Sequence, residues 1–446
     1  MAKLNWGGGM RRRLFSIGAI GLVTATVVLA VAGMAVPAFA GSLSQADQQC
    51  LACHQSEGME KQLANGETLS LHISGDTFAK SVHSVFGCAG CHSDIDLTNH
   101  PSANTSIASK RSFSITRAQV CSGCHGDKFD QWKHSVHAAL VSEGNPIAPL
   151  CTSCHSPHAV IKGAAMSMDT VPCKTCHGAI FTAYSTSVHG MLRSAGVTQA
   201  PLCFSCHGAH DIKVPTAGAG IKNVCFGCHT DAVAQHQKWL PNTELHFDVV
   251  ACQACHAPKA HRTVELVLYD STTQKDSSRP LGVPEFENPA GSDGTGRPGL
   301  DPKMLFNLLR TLNRPGIENK TSIKGRLDVS TGAEAHALAP AGEAISDCST
   351  CHRKGAQAFQ SVTISVAGPS GIPIHYDVNK DVLSSAFSID SIGGFYAIGG
   401  TRITFLDVLL VLALLAGFGG PIVHLTVGWA FRRYLNRTHH DDQRKG

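Results

Sequence analysis

No cysteine in this chain stands alone, no methionine recurs at a fixed offset, and aromatic side chains are scarce. All 18 cysteines fall into pairs of a single spacing, so none is left over for a separate zinc or redox pair. Phe, Trp and Tyr make up 6% of the 446 residues, so something other than aromatic rings must fill much of the interior. Charge is nearly balanced: of the formal +4, four positive residues precede position 40, and residues 41–431 come to −3. A nucleic-acid partner, which would require a basic surface, is not indicated.

What is present is one motif, C-x-x-C-H, nine times. The cysteine pairs are Cys50 and Cys53, Cys88 and Cys91, Cys121 and Cys124, Cys151 and Cys154, Cys173 and Cys176, Cys203 and Cys206, Cys225 and Cys228, Cys252 and Cys255, and Cys348 and Cys351. Each is followed at once by a histidine: His54, His92, His125, His155, His177, His207, His229, His256 and His352. This spacing is the attachment site of c-type haem, in which both thiols add to the vinyl groups and the histidine ligates the iron from the proximal side. Nine covalent haems c are expected.

The ends of the chain indicate a compartment. Lys3 and Arg11 to Arg13 precede an apolar run from Leu14 to Val36, and Ala38-Phe39-Ala40 fits a cleavage site, so residues 1–40 read as a signal peptide. In an oxidising compartment free thiols would pair unless claimed, and haem attachment claims them. From Val408 to Phe431 there are 24 residues without Asp, Glu, Lys or Arg, enough for a bilayer span. Arg432, Arg433 and Arg437 follow it. A transmembrane helix over 404–431, a cytoplasmic tail over 432–446 and a periplasmic haem domain on the inner membrane are therefore expected. His424 and Pro421 interrupt the apolar helix, and an ionisable residue there is a functional candidate by default.

Residues 50–262 carry eight motifs in 213 residues, about 27 residues for each. Segments that short do not build their own apolar cores and need staples. The expectation for 41–262 is short α-helices and irregular loops wrapped on haems, with little sheet.

The motifs at Cys121, Cys173 and Cys225 start 52 residues apart, an internal repeat. In the first two copies Ser135-Val136-His137 matches Ser187-Val188-His189, and His158 matches His210. Cys50 to His100 is a looser copy with Ser81-Val82-His83. Thirteen non-motif histidines remain for nine distal positions once His424, His439 and His440 are set aside. Repetition selects His137, His158, His189 and His210 as distal iron ligands, and looser correspondence adds His83, His100, His246 and His261. His72, His134, His236 and His336 follow no pattern and read as ordinary side chains.

After Arg262 the character changes. Residues 263–345 contain no cysteine, and 272–300 are rich in Ser, Gly, Pro and Asp, which reads as a linker or insert. Asp301-Pro302 before Met304, Leu305, Leu308 and Leu309 suggests a short amphipathic helix. Residues 346–400 hold the ninth motif and a β-hairpin, read from alternation at Val362, Ile364 and Val366, a turn at Gly368 to Gly371, and alternation at Ile372, Ile374 and Tyr376. His375 on the second strand is the expected ninth distal ligand.

These motifs resemble the multihaem c-type cytochromes of the class III (cytochrome c3/c7-like) and octahaem kind over residues 50–262 and 348–376. The resemblance implies low-potential haems relaying electrons among redox partners. No C-x-x-C-K motif marks a substrate-binding haem. The leading expectation is electron transfer between the quinone pool, or a membrane subunit such as a cytochrome b, and periplasmic carriers. The alternatives are a reductase of a small nitrogen or sulfur compound at an open haem, and a sensor or haem store.

Overall fold

The structure is a computed structural model. It describes residues 43–101, 106–163, 166–213, 219–273, 275–276, 299–316, 320–368, 373–385, 392–393, 395–401 and 403–443. The expected signal peptide, most of the 272–300 stretch and the hairpin turn at 369–371 lie outside the described residues.

The chain divides into two compact units. The first comprises residues up to 110 together with 156–163. Its first motif ends the helix Gln45–His54, whose start is fixed by a reciprocal cap between Ser44 and Asp47. Asp47 is buried and also accepts the Cys88 backbone N–H at 2.7 Å, which ties the second motif to the first. The short strands β1 (Glu60–Gln62) and β2 (Thr68–Ser70) pair antiparallel.

The second unit, 111–155 and 164–446, begins with short helices that carry the repeat. The Ser-Val-His signature has a local cause there. Ser135 and Ser187 are N-caps of helices Val136–Ser142 and Val188–Ser194, accepting the N–H of Ala138 at 3.1 Å and of Gly190 at 3.2 Å. Both serines are buried, which places the histidine two residues later in the first helical turn.

Beyond these helices stands an apolar core. Strands β3 (Arg262–Asp270), β4 (Lys275–Asp276), β5 (Thr321–Val329), β6 (Val362–Ala367), β7 (Pro373–Asp377) and β8 (Ile392–Gly393) form one sheet in the order β7-β6-β3-β5-β8, with β4 on β3. β3 runs antiparallel to β5 and parallel to β6. Val264, Leu266, Ile323 and Ile364 are fully buried, each contributing about 1.5–3 kcal/mol. Helix Pro302–Leu312 packs Leu305, Leu308 and Leu309 onto this core, its N-terminus capped by Asp301. The amphipathic helix thus forms where its pattern indicates.

The region expected as a linker supplies the central strand β3 and its neighbour β5, and the expected hairpin, β6 and β7, forms one side of the sheet. The hairpin is not freestanding because Val362, Ile364 and Val366 are buried in a core completed by β3 and β5. Helix Thr404–Gln443 follows, and Thr404–Leu435 is long and apolar enough to cross a membrane, with mean hydropathy 2.2 and no burial. Many short helices, small sheets and this apolar helix are compatible with a multihaem cytochrome.

Candidate functional site

Each motif closes a tight turn. The histidine N–H donates to the first cysteine carbonyl, at 3.0 Å in His92, 2.9 Å in His125, His155, His177 and His229, and 2.8 Å in His352. One turn puts two thiols three residues apart on the same side and directs the histidine back over them. None of the 18 cysteines is joined in a disulfide, and none is fully buried.

Eight motif histidines face a second histidine ring. The centroid separations are 6.1 Å for His54 and His100, 6.2 Å for His92 and His158, 6.4 Å for His137 and His177, and 6.1 Å for His155 and His210. They are 6.1 Å for His189 and His229, 5.7 Å for His207 and His336, 6.1 Å for His236 and His256, and 6.0 Å for His246 and His352. A metal–nitrogen bond of about 2 Å, with the ring centroid about 1.2 Å behind the nitrogen, puts two rings on opposite sides of one iron about 6.4 Å apart. The two cysteines of a motif turn and a histidine pair at this separation would hold a covalently attached haem.

Second contacts orient several rings, leaving the other nitrogen for a metal, as ligating histidines generally require. The Nδ1 atoms lie 2.9 Å from Leu71 O for His54, 2.7 Å from Ala232 O for His236, 3.2 Å from Asn242 O for His246, and 2.6 Å from Gly332 O for His336. His352 Nδ1 lies 2.9 Å from Ile398 O, which ties the ninth motif to the chain just before the apolar helix. There Gly400 approaches Cys351 O so closely that a Cβ would sit 2.5 Å from it. Burial pushes the imidazoles of His137, His158, His189, His207, His210 and His256 down from their usual pKa, with the facing or neighbouring ring adding to the effect. They are held neutral, the form that binds a metal.

Seven of the nine distal candidates keep a role in this geometry or its repeat context. His100, His137, His158, His189, His210 and His246 face motif histidines. His83 keeps the Ser-Val-His context, its Nδ1 lying 3.0 Å from Pro157 O. His261 and His375 are not brought to a motif histidine among the described residues. His261 Nδ1 lies 2.7 Å from Glu334 Oε1 and His375 Nδ1 3.6 Å from Glu265 Oε1, both at exposed positions. In their place stand His236 and His336, which sequence reasoning passed over.

A backbone pattern explains His336. The valine N–H of each Ser-Val-His donates 2.8 Å to a carbonyl two residues past a facing histidine: Val82 to Val160, Val136 to Ile212 and Val188 to Leu338. His158, His210 and His336 are therefore counterparts. At the corresponding offset after His256 the sequence has Lys259. The sheet strands intervene, then Ser330 N–H donates to His261 O and Ala339 N–H to His256 O, both at 2.8 Å, which returns residue 336 to the repeat position.

Neighbouring motifs also meet. The first cysteines of consecutive motifs lie close together in Cys50 and Cys88, Cys121 and Cys151, Cys173 and Cys203, and Cys225 and Cys252. Cys154 adjoins Cys173, Cys206 adjoins Cys228, and Cys255 adjoins Cys351. Within each unit the motifs therefore neighbour one another in sequence order.

The family model of cytochrome c554 and c-prime matches residues 209–257, the segment with His210, His229, His236, His246 and the eighth motif. No curated protein and no solved structure matches the chain. Nine motif turns and this match together support a multihaem c-type cytochrome with covalently bound haem c, an electron-transfer cytochrome.

Proposed function

We propose that the chain holds nine haems c, each with two histidine axial ligands, and transfers electrons between a quinone-linked membrane partner and periplasmic carriers. Haem c supplies a one-electron Fe(III)/Fe(II) couple. The proposed distal ligands are His83, His100, His137, His158, His189, His210, His236, His246 and His336. One observation carries the reading: eight motif histidines have a second ring at the one-iron separation. At those eight motifs a filled sixth position leaves no site for a substrate, which favours electron transfer over reduction of a small nitrogen or sulfur compound.

In this reading the helix Thr404–Leu435 is the inner-membrane anchor, the basic residues after it face the cytoplasm, and the haem-bearing residues lie in the periplasm. The ninth motif is the closest to the anchor in sequence, and the 2.9 Å contact between His352 Nδ1 and Ile398 O supports a haem tied to the chain just before it. Gly419, Gly420 and Gly428 allow close approach of a partner helix, such as one from a cytochrome b.

The test is truncation after Gly400. The truncated form is expected to be soluble, to carry nine haems by pyridine haemochrome, and to lose reduction by quinol in membranes. Reduction at the full rate would refute the anchored relay, and a strong high-spin spectrum in the intact protein would favour the reductase.

A further inference from the structure

The eight histidine pairs fall into two geometric classes. In six, the ring planes are inclined by 10° to 34°. In His236 with His256 the angle is 65°, and in His246 with His352 it is 70°. These two crossed pairs are the eighth and ninth motifs, whose turns are built into the apolar sheet core through Ala251, Ala254, Ala356 and Phe359.

The crossing has local causes on both sides. His236 and His246 come from the successive helices Ala232–Gln237 and Thr243–Val249, each with its ring tethered to its own helix by the carbonyl four residues back. Phe247 meets the His236 ring edge-on at 5.1 Å and holds it against rotation. On the other side, Ala251 N–H donates to Leu327 O at 2.8 Å and Ile345 N–H to Cys255 O at 3.0 Å, so the sheet sets the His256 turn. Ile398 O fixes the His352 ring. Rings held in two separate frames have no reason to align, whereas the other pairs are set mainly by the repeat's own backbone.

Ring-plane angle matters to iron. Each imidazole donates π density into the metal d orbital perpendicular to its plane. Parallel rings raise one orbital and leave its neighbour low, and this splitting stabilises the oxidised state, whose electron hole occupies the raised orbital. Crossed rings load both orbitals alike and remove that advantage. We propose that His236 with His256 and His246 with His352 form a second class of haem site, spectroscopically distinct and more readily reduced than the other pairs, at the anchored end of the chain. This rests on the bis-histidine reading above.

Electron paramagnetic resonance of the oxidised, full-length holoprotein in detergent tests it. Crossed pairs give a low-spin signal with a large maximum g value, and parallel pairs give an ordinary rhombic one. Of the eight irons assigned to these pairs, two are expected in the large-g signal, and in a titration with dithionite those two should lose their signal first. His246→Ala should turn one iron high-spin and halve the large-g signal. His189→Ala should also create one high-spin iron but leave the large-g signal intact. An oxidised protein without a large-g signal would overturn the two-class proposal, as would His246→Ala depleting the rhombic signal instead. If His246→Ala leaves every iron low-spin, the ligand reading itself fails, and the two failures are distinguishable.

Discussion

Residues 111–213 and the sheet-bearing region from 250 to 401 carry the same motif but are held together differently. In the first, the fully buried apolar side chains are few and scattered, among them Leu150, Val171 and Leu202. In the second, one continuous core joins β3, β5, β6 and helix Pro302–Leu312 to the eighth and ninth motif turns. A region without its own core depends on the cofactor for its fold. A region with one can position the cofactor's ligands from outside. The difference also bears on how ligands are encoded: repetition lays them at fixed offsets, while a sheet can recruit a histidine from far along the chain.

The sharpest way to break this comparison is to remove one attachment on the repeat side. Cys124→Ala should lose or weaken one haem and unfold much of its repeat, because the macrocycle is that repeat's core. Mass spectrometry should show the lost haem, and hydrogen exchange should show amides near 121–155 exposed while β3 and β5 stay protected. Equal loss of protection in the sheet would erase the distinction. On the other side, Leu266→Ala removes a fully buried side chain and should cost about 2–5 kcal/mol. Thermal unfolding should register that loss while all nine haems remain attached.

A smaller effect separates the two ligand sets. His336→Ala should convert one low-spin iron to high-spin, whereas His261→Ala and His375→Ala should leave the spin count unchanged. High-spin iron in either of the last two would restore the ligands expected from sequence. The smallest effect is acid. Burial raises the Glu334 carboxyl, but hydrogen bonds from His261 and Thr331 outweigh it and hold the group below its usual range. A depressed carboxylate stabilises above its unfolded pKa of about 4.3, and that contribution is lost as pH falls through the lower folded value. Helix Gly332–His336, which carries Glu334, should loosen there, and His336 with it. Hydrogen exchange of the amides in helix Gly332–His336 should quicken as pH falls through that value in the wild type and should already be fast at neutral pH in Glu334→Ala.

Legibility follows the same divide. His137, His158, His189 and His210 were readable because a gapless repeat fixes their offsets, and each faces a motif histidine. His236 was not, since the cue was the carbonyl four residues earlier, and His134 makes that same bond at 2.7 Å without facing a ring among the described residues. The strand Arg262–Asp270 alternates in the sequence, but its partner β5 begins about fifty residues later, beyond the reach of local periodicity.

By itself the sequence determined the chemistry: thiol pairs three apart with a histidine beside them have one spacing for one turn, and such turns form wherever the motif stands. It also determined the apolar length of the C-terminal helix, a property of composition alone. Only the tertiary structure decided which distal histidine meets which motif and at what ring angle. Those outcomes depend on long-range strand pairing, Ser330 returning to His261 and Ala251 docking on Leu327, and no periodicity within a short window carries that information.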